Sequence, residues 1–163
     1  MGYTHYWEFK VHDRGHQSKV EAQYQKAVSD CKKIVARYQR RWEKGDWNRL
    51  SGVTAHAPQY MGVQLNGTGD LAHETFWLRD HYRTNDQFNF CKTAQKPYDE
   101  VVTACLIVLK HRLPNHVDVS SDGEEMDWLP GLLLATQSTR LKCEIPQSIH
   151  YTTATTTLNI VKG

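Results

Sequence analysis

The chain has 163 residues, of which 39% are hydrophobic and 23% charged, and its net charge is +2 with histidines neutral. That size and apolar content suit a single domain over 1–163 and exclude a disordered chain. An isoelectric point of about 8.3 falls short of the basic signature of a nucleic-acid binder, and no run approaches the ~18 apolar residues that cross a bilayer.

In chain order, residues 3–11 (YTHYWEFKV) are aromatic and β-branched and read as a strand. Ser18 and Glu21 have the spacing of a capping box. The helix it opens carries apolar residues at Val20, Tyr24, Ala27, Val28, Cys31, Ile34, Val35, Tyr38 and Trp42, with Gly45 as C-cap. Lys26, Lys32, Lys33, Arg37, Arg40 and Arg41 form its solvated face. Residues 45–61 look irregular. Gly62–Leu65 is a short strand ending at Asn66-Gly67, which signals a type I′ turn, although residues 68–71 allow a longer loop. His73–Leu78 and Phe88–Thr93 are further strands, and antiparallel pairing through 62–93 is expected.

Pro97, Asp99 and Glu100 open a helix whose Val101–Leu109 stretch is apolar on nearly every side, so it should be buried. Lys110, His111 and Arg112 close that helix and Pro114 stops it. Val117–Ser120 is a strand running into a Ser-Asp-Gly turn. Met126–Gln137 is a last helix or an irregular cover, because Pro130 and Gly131 argue against a straight one. Ser148–Val161 is threonine-rich, a final strand or a loose end of the 140–163 tail. The expected fold is α+β: a mostly antiparallel sheet with a long amphipathic helix and a buried helix packed on it.

Cys31, Cys91, Cys105 and Cys143 show no zinc-like spacing and there is no visible signal segment, so a cytoplasmic protein with free thiols is expected. Nine histidines invite a metal, but their spacing supplies no ligand set, and no cofactor is expected.

Three segments could carry chemistry. Lys92, Thr93 and Lys96 lie where a strand runs into a helix N-terminus, whose unpaired N–H groups attract phosphate or carboxylate. The bland reading is a polar βα connection, and the glycines of a Walker loop are absent. His73 and Thr75 form an HxT pair, matched by His150 and Thr152. Two-histidine phosphoesterases build a site from such pairs, each histidine acting as acid or base. His5 and Trp7 share one strand face, where an imidazole beside an aromatic could hold a base or simply pack. Ser120, Ser121, Asp122 and Gly123 offer hydroxyls and a carboxylate at a turn.

Taken together, MGYTHYW, HETF, FCKTAxKPYDxVV and VSSDG resemble a group of small uncharacterised phage and bacterial proteins, over residues 1–130. The group has no assigned activity to carry over. The resemblance implies an intracellular protein, in the host cytoplasm if phage-encoded, and marks those four segments for attention. The resulting expectation is a protein that binds, and sequesters without turnover, a small phosphorylated or nucleotide ligand such as an immune signal. His5, His73 and Asp122 would give it hydrogen bonds, Trp7 or Trp77 would stack its base, and Lys92, Thr93 and Lys96 would hold phosphate. The alternatives are a phosphodiesterase using His73 and His150, and a protein-binding inhibitor or structural accessory. Neither a membrane nor nucleic acid is an expected partner, and the sequence leaves a homo-oligomer open.

Overall fold

Side chains alternate along β1 (Thr4–Phe9): His5, Trp7 and Phe9 are buried on one face, while Tyr6 and Glu8 lie on the more exposed one. The computed structural model describes residues 2–10, 17–41, 50 and 62–150. With β4 (Phe88–Lys92) on one side and β5 (Val117–Ser121) on the other, β1 is the centre of a three-stranded antiparallel sheet. Three helices, α1 (Gln17–Arg41), α2 (Asp99–Arg112) and α3 (Glu125–Thr139), pack on its buried face and on one another. Tyr24 of α1 meets Phe9 edge-on, and Trp128 of α3 meets His5 in the same way. The chain is thus an α+β domain, as its element order implies.

Every residue from Val101 to Leu109 is buried, so α2 is the central helix, held between α1 and α3. Its last turn reaches the one carboxylate buried in α1. Arg112 Nε and Nη2 donate to Asp30 Oδ2 at 2.9 and 2.7 Å, and Lys33 Nζ reaches Oδ1 at 2.8 Å. Two cations offset the desolvation of Asp30.

Several local expectations are corrected. The pairing through 62–93 is split. β2 (Val63–Leu65) and β3 (Phe76–Leu78) form a separate two-stranded sheet, whereas β4 crosses to β1. His73–Thr75 therefore precede their strand rather than belong to it. No tight turn forms at Asn66-Gly67, because the Asn66 side chain acts as a substitute backbone. Its Oδ1 accepts the Gly67 and His73 N–H groups at 2.8 and 3.0 Å, and its Nδ2 donates to His73 O at 2.9 Å. This closes a longer loop around a 3-10 turn at Gly69–Leu71.

Helix α1 begins at Gln17, so Ser18 lies inside its first turn, and Glu21 turns to the 81–82 loop instead of capping. The α3 helix runs unbroken through Pro130. At Gly131 it approaches α2 so closely that a Cβ would lie 2.9 Å from Ala104 N and nearer still to Thr103 Oγ1. Of the tail, Gln147–His150 form a short helix, α4, not a strand. Residues 151–163, most of the irregular 45–61 segment, Trp42 and the Gly45 cap lie outside the described residues. Among the described residues, no helix is long and apolar enough to cross a membrane. All four cysteines are free.

Two stability predictions follow from this packing. Gly131→Ala should cost about 1–3 kcal/mol, since neither the Ala104 backbone nor bonded Thr103 can yield cheaply; chemical denaturation measures it. Burial alone would raise the Glu21 carboxyl, but hydrogen bonds from Gln25, His81 and the Tyr82 N–H hold it below its ordinary range. A carboxyl depressed on folding stabilises above its ordinary range, and that contribution fades as pH falls through the folded value. The stability gap between the wild type and Glu21→Gln should therefore be present at pH 7 and shrink toward pH 3.

Candidate functional site

The hydrogen-bond pattern of β1 fixes which neighbour each residue addresses. Thr4 N–H and C=O engage Asp122 on the β5 side, while Phe9 N–H reaches Gln87 O and Tyr3 O accepts Ala94 N–H on the β4 side. Backbone polarity alternates along a strand, so His5 bonds through its backbone to Cys91 and faces Ser121 as a non-hydrogen-bonded pair. Side chains stand closest in such pairs, which brings Ser121 Oγ to 2.8 Å from His5 Nδ1. The other ring nitrogen, Nε2, lies 2.6 Å from Asp99 Oδ1 at the start of α2. Thr93 donates to the same carboxylate oxygen at 2.5 Å.

A carboxylate only accepts, so the His5 Nε2–H donates to Asp99, while Nδ1 and the Ser121 hydroxyl share the second hydrogen bond. Ser121 Oγ in turn accepts the Gly123 N–H at 2.9 Å. Segments from the N-terminus, the FCKTA and KPYD runs and the SSDG turn thus meet around one imidazole that is fully buried. The HETF segment joins them through Glu74. Its carboxylate accepts Lys92 N–H at 2.7 Å, and its carbonyl accepts the Tyr98 hydroxyl at 2.7 Å. Beside Glu74, burial first and the carboxylate second push the Cys91 thiol up to about 12.

This cluster is chemically a relay from Ser121 through His5 to Asp99, but its polar atoms are spent on one another. Tyr3 Oη and the Nε1 of Trp128 are exceptions, both buried without a partner. Tyr3 packs on Gly123. Burial, then Asp99, Asp127 and Asp122, raise its pKa and keep it protonated. Tyr3, Asp99 and Trp128 escape notice in the sequence: Asp99 reads there as a helix-dipole charge, and nothing local announces a partner 94 positions away.

The anion pocket expected at the start of α2 is not built. Thr93 turns its hydroxyl inward to Asp99, and the positive end of the helix already carries Asp99 and Glu100. Lys96 Nζ donates to Asp70 O at 3.0 Å, away from that helix end. The connection is nevertheless strained, since Ala94 and Gln95 both adopt left-handed backbone angles, φ 52° and 55°. Asp122 accepts Thr4 N–H at 3.0 Å and so caps the start of β1.

Trp7 is a core residue, 2% exposed and packed on Phe76, so its ring face is not available to stack a ligand. His73 has an exposed side chain, and its backbone is held by Asn66. His150 ends a helix rather than lying on a strand, and its side chain and Thr152 fall outside the described residues.

Trp77 does stand at a surface cleft, 47% exposed, with the Arg79 guanidinium 4.4 Å from its ring centre. The cleft, of about 220 Å³, lies between the 75–79 segment and β4, where Phe88 and Phe90 are 57% and 56% exposed. A larger cleft of about 430 Å³ lies between the start of α1 and the 81–87 loop. It is flanked by Lys10 and Gln17, which bound the undescribed residues 11–16, and its His81 is already bonded to Glu21 at 2.9 Å. No protein-family profile, curated protein sequence or solved structure matches the chain.

Removing the anchor of the buried cluster tests its cohesion. Asp99→Ala leaves His5 Nε2 and the Thr93 hydroxyl without an acceptor, and should cost about 1–3 kcal/mol for each buried group left unpaired. Asp99→Asn, which retains an acceptor oxygen, should cost less; urea unfolding of both variants measures the difference.

Proposed function

We propose that the protein binds and holds a small phosphorylated ligand with a planar base, in the cleft between the 75–79 segment and β4. The observation that carries this reading is the set of exposed rings there. Trp77, Phe88 and Phe90 border one base-sized cavity beside the Arg79 guanidinium. Exposed aromatic rings gathered at one concavity are costly to leave in water, and they offer stacking surfaces to a flat ligand. Among the described residues, the Arg79 guanidinium meets the Trp77 ring face and exposed Asp86 at 3.3 Å, a weak surface pair that its fork can exchange for a phosphate. The placement differs from the helix-start pocket anticipated from Lys92, Thr93 and Lys96: Thr93 and Lys96 are turned to Asp99 and Asp70, and the Lys92 side chain lies beside Gly2.

The resemblance to phage proteins extends the reading to counter-defence, in which a nucleotide immune signal is held without turnover. A second reading, a protein partner, is favoured by one feature: β4 is an open sheet edge flanked by exposed aromatics, the arrangement to which an extended peptide adds a strand.

The test is calorimetric titration with AMP, ADP-ribose, cyclic di-AMP and cyclic di-GMP. This is followed by heating the loaded protein and running chromatography on what is released. Intact nucleotide recovered after heating is expected. Appearance of cleavage products, abolished by His73→Ala, would replace the reading with a phosphodiesterase, and no binding by any nucleotide would leave the protein partner. Trp77→Ala should weaken nucleotide binding by about 1–3 kcal/mol, the usual worth of one base–aromatic stack, with little change in melting temperature because the ring is half exposed.

A further inference from the structure

The two edges of the main sheet are treated differently. On β5, outward-facing groups are covered: Val119 O accepts from Ser148, and Val117 O accepts Lys110 Nζ at 2.8 Å. On β4, Gln87 O accepts Phe9 N–H, so residues 87, 89 and 91 address β1 while 88, 90 and 92 point outward. Lys92 confirms this direction, because its N–H and C=O meet Glu74 at 2.7 and 3.2 Å. Below it, the outward N–H and C=O groups of Phe88 and Phe90 meet none of the described residues. They face the side along which residues 75–79 run, which is the cleft.

We infer that the free edge of β4 reads the heterocycle of the bound ligand through backbone groups. Phe88 C=O accepts an exocyclic amino N–H, and Phe90 N–H donates to the adjacent ring nitrogen. A carbonyl and the N–H two residues on share one edge and point the same way, which complements the amino and ring-nitrogen pair of adenine. The ligand class is therefore an amino-substituted heterocycle of the adenine type. This inference rests on the ligand reading above and adds the chemistry of base selection to it.

The test compares AMP binding to Phe90→Ala and Phe90→Pro by calorimetry. Both variants lose the ring, but only the proline also loses the N–H, at an outward position where the β1 ladder does not need it. Phe90→Pro should bind AMP at least fivefold more weakly than Phe90→Ala. Independently of any variant, purine riboside 5′-monophosphate, which lacks the amino group, should bind the wild type at least tenfold more weakly than AMP. Equal binding of these two nucleotides overturns the inference even if the proline variant misfolds. Binding confined to guanine nucleotides also overturns it, and leaves the ligand reading standing. If Trp77→Ala weakens AMP binding while Phe90→Pro matches Phe90→Ala, base selection by the edge falls and the cleft remains. No binding of any nucleotide to the wild type removes both.

Discussion

The buried contact between His5 and Asp99 is the constraint on which the arrangement of this domain depends. A carboxylate at the start of a helix is ordinarily a surface charge that complements the helix dipole. Here Asp99 is only 13% exposed and serves a fully buried imidazole and a buried hydroxyl at once. Breaking such a contact leaves polar groups desolvated without partners, so its geometry is strongly enforced. Through it the central strand, the start of the central helix and the end of β5 are held at one mutual distance. The left-handed angles at Ala94 and Gln95 are consistent with that enforcement. The chain between β4 and α2 accepts strained backbone in a short connection that brings Thr93 and Asp99 together.

Much of this was legible in residue patterns, and what escaped them has a common cause. Periodicity marks α1, the all-round apolar α2 and the alternation of β1, because each is a local rule about which face is buried. It does not say which strand lies beside which. The regular spacing of short strands from 62 to 93 suggested a continuous meander, yet Trp7 and Phe9 need β4 beside them to complete the inner face, and β4 pairs with β1. Local rules also failed where a side chain substitutes for backbone. Asn66 closes its loop by accepting and donating as a peptide group would, so the Asn-Gly signal was real turn chemistry with a different geometry.

The candidate site shows the same division. The His5, Thr93 and SSDG segments were recognisable as polar residues at strand ends, and they do converge. Their convergence satisfies them, however, and it uses the groups first assigned to a ligand. Thr93 is the clearest case: a hydroxyl before a helix looks outward-facing in sequence, and only a buried carboxylate six residues later reverses it. Trp77 remained exposed because exposure on a short strand depends on alternation alone, with Phe76 and Leu78 facing the core on either side of it. Trp7 did not, since the same alternation that placed it beside His5 placed both in the core.

An open strand edge bordered by bare aromatic rings is a liability that folded proteins commonly cover, bend or charge. This chain does cover its other edge, with Ser148 and Lys110 at β5, and it blocks the top of β4 with Glu74. Among the described residues, none pairs with the outward side of Phe88 and Phe90, although Glu74 shows that the neighbouring segment can reach β4 and pair with it. Three residues further along, the same segment turns Trp77 outward, and the separation opens into a cavity. Pairing at one end and parting at the other is what opens the cleft between the 75–79 segment and β4.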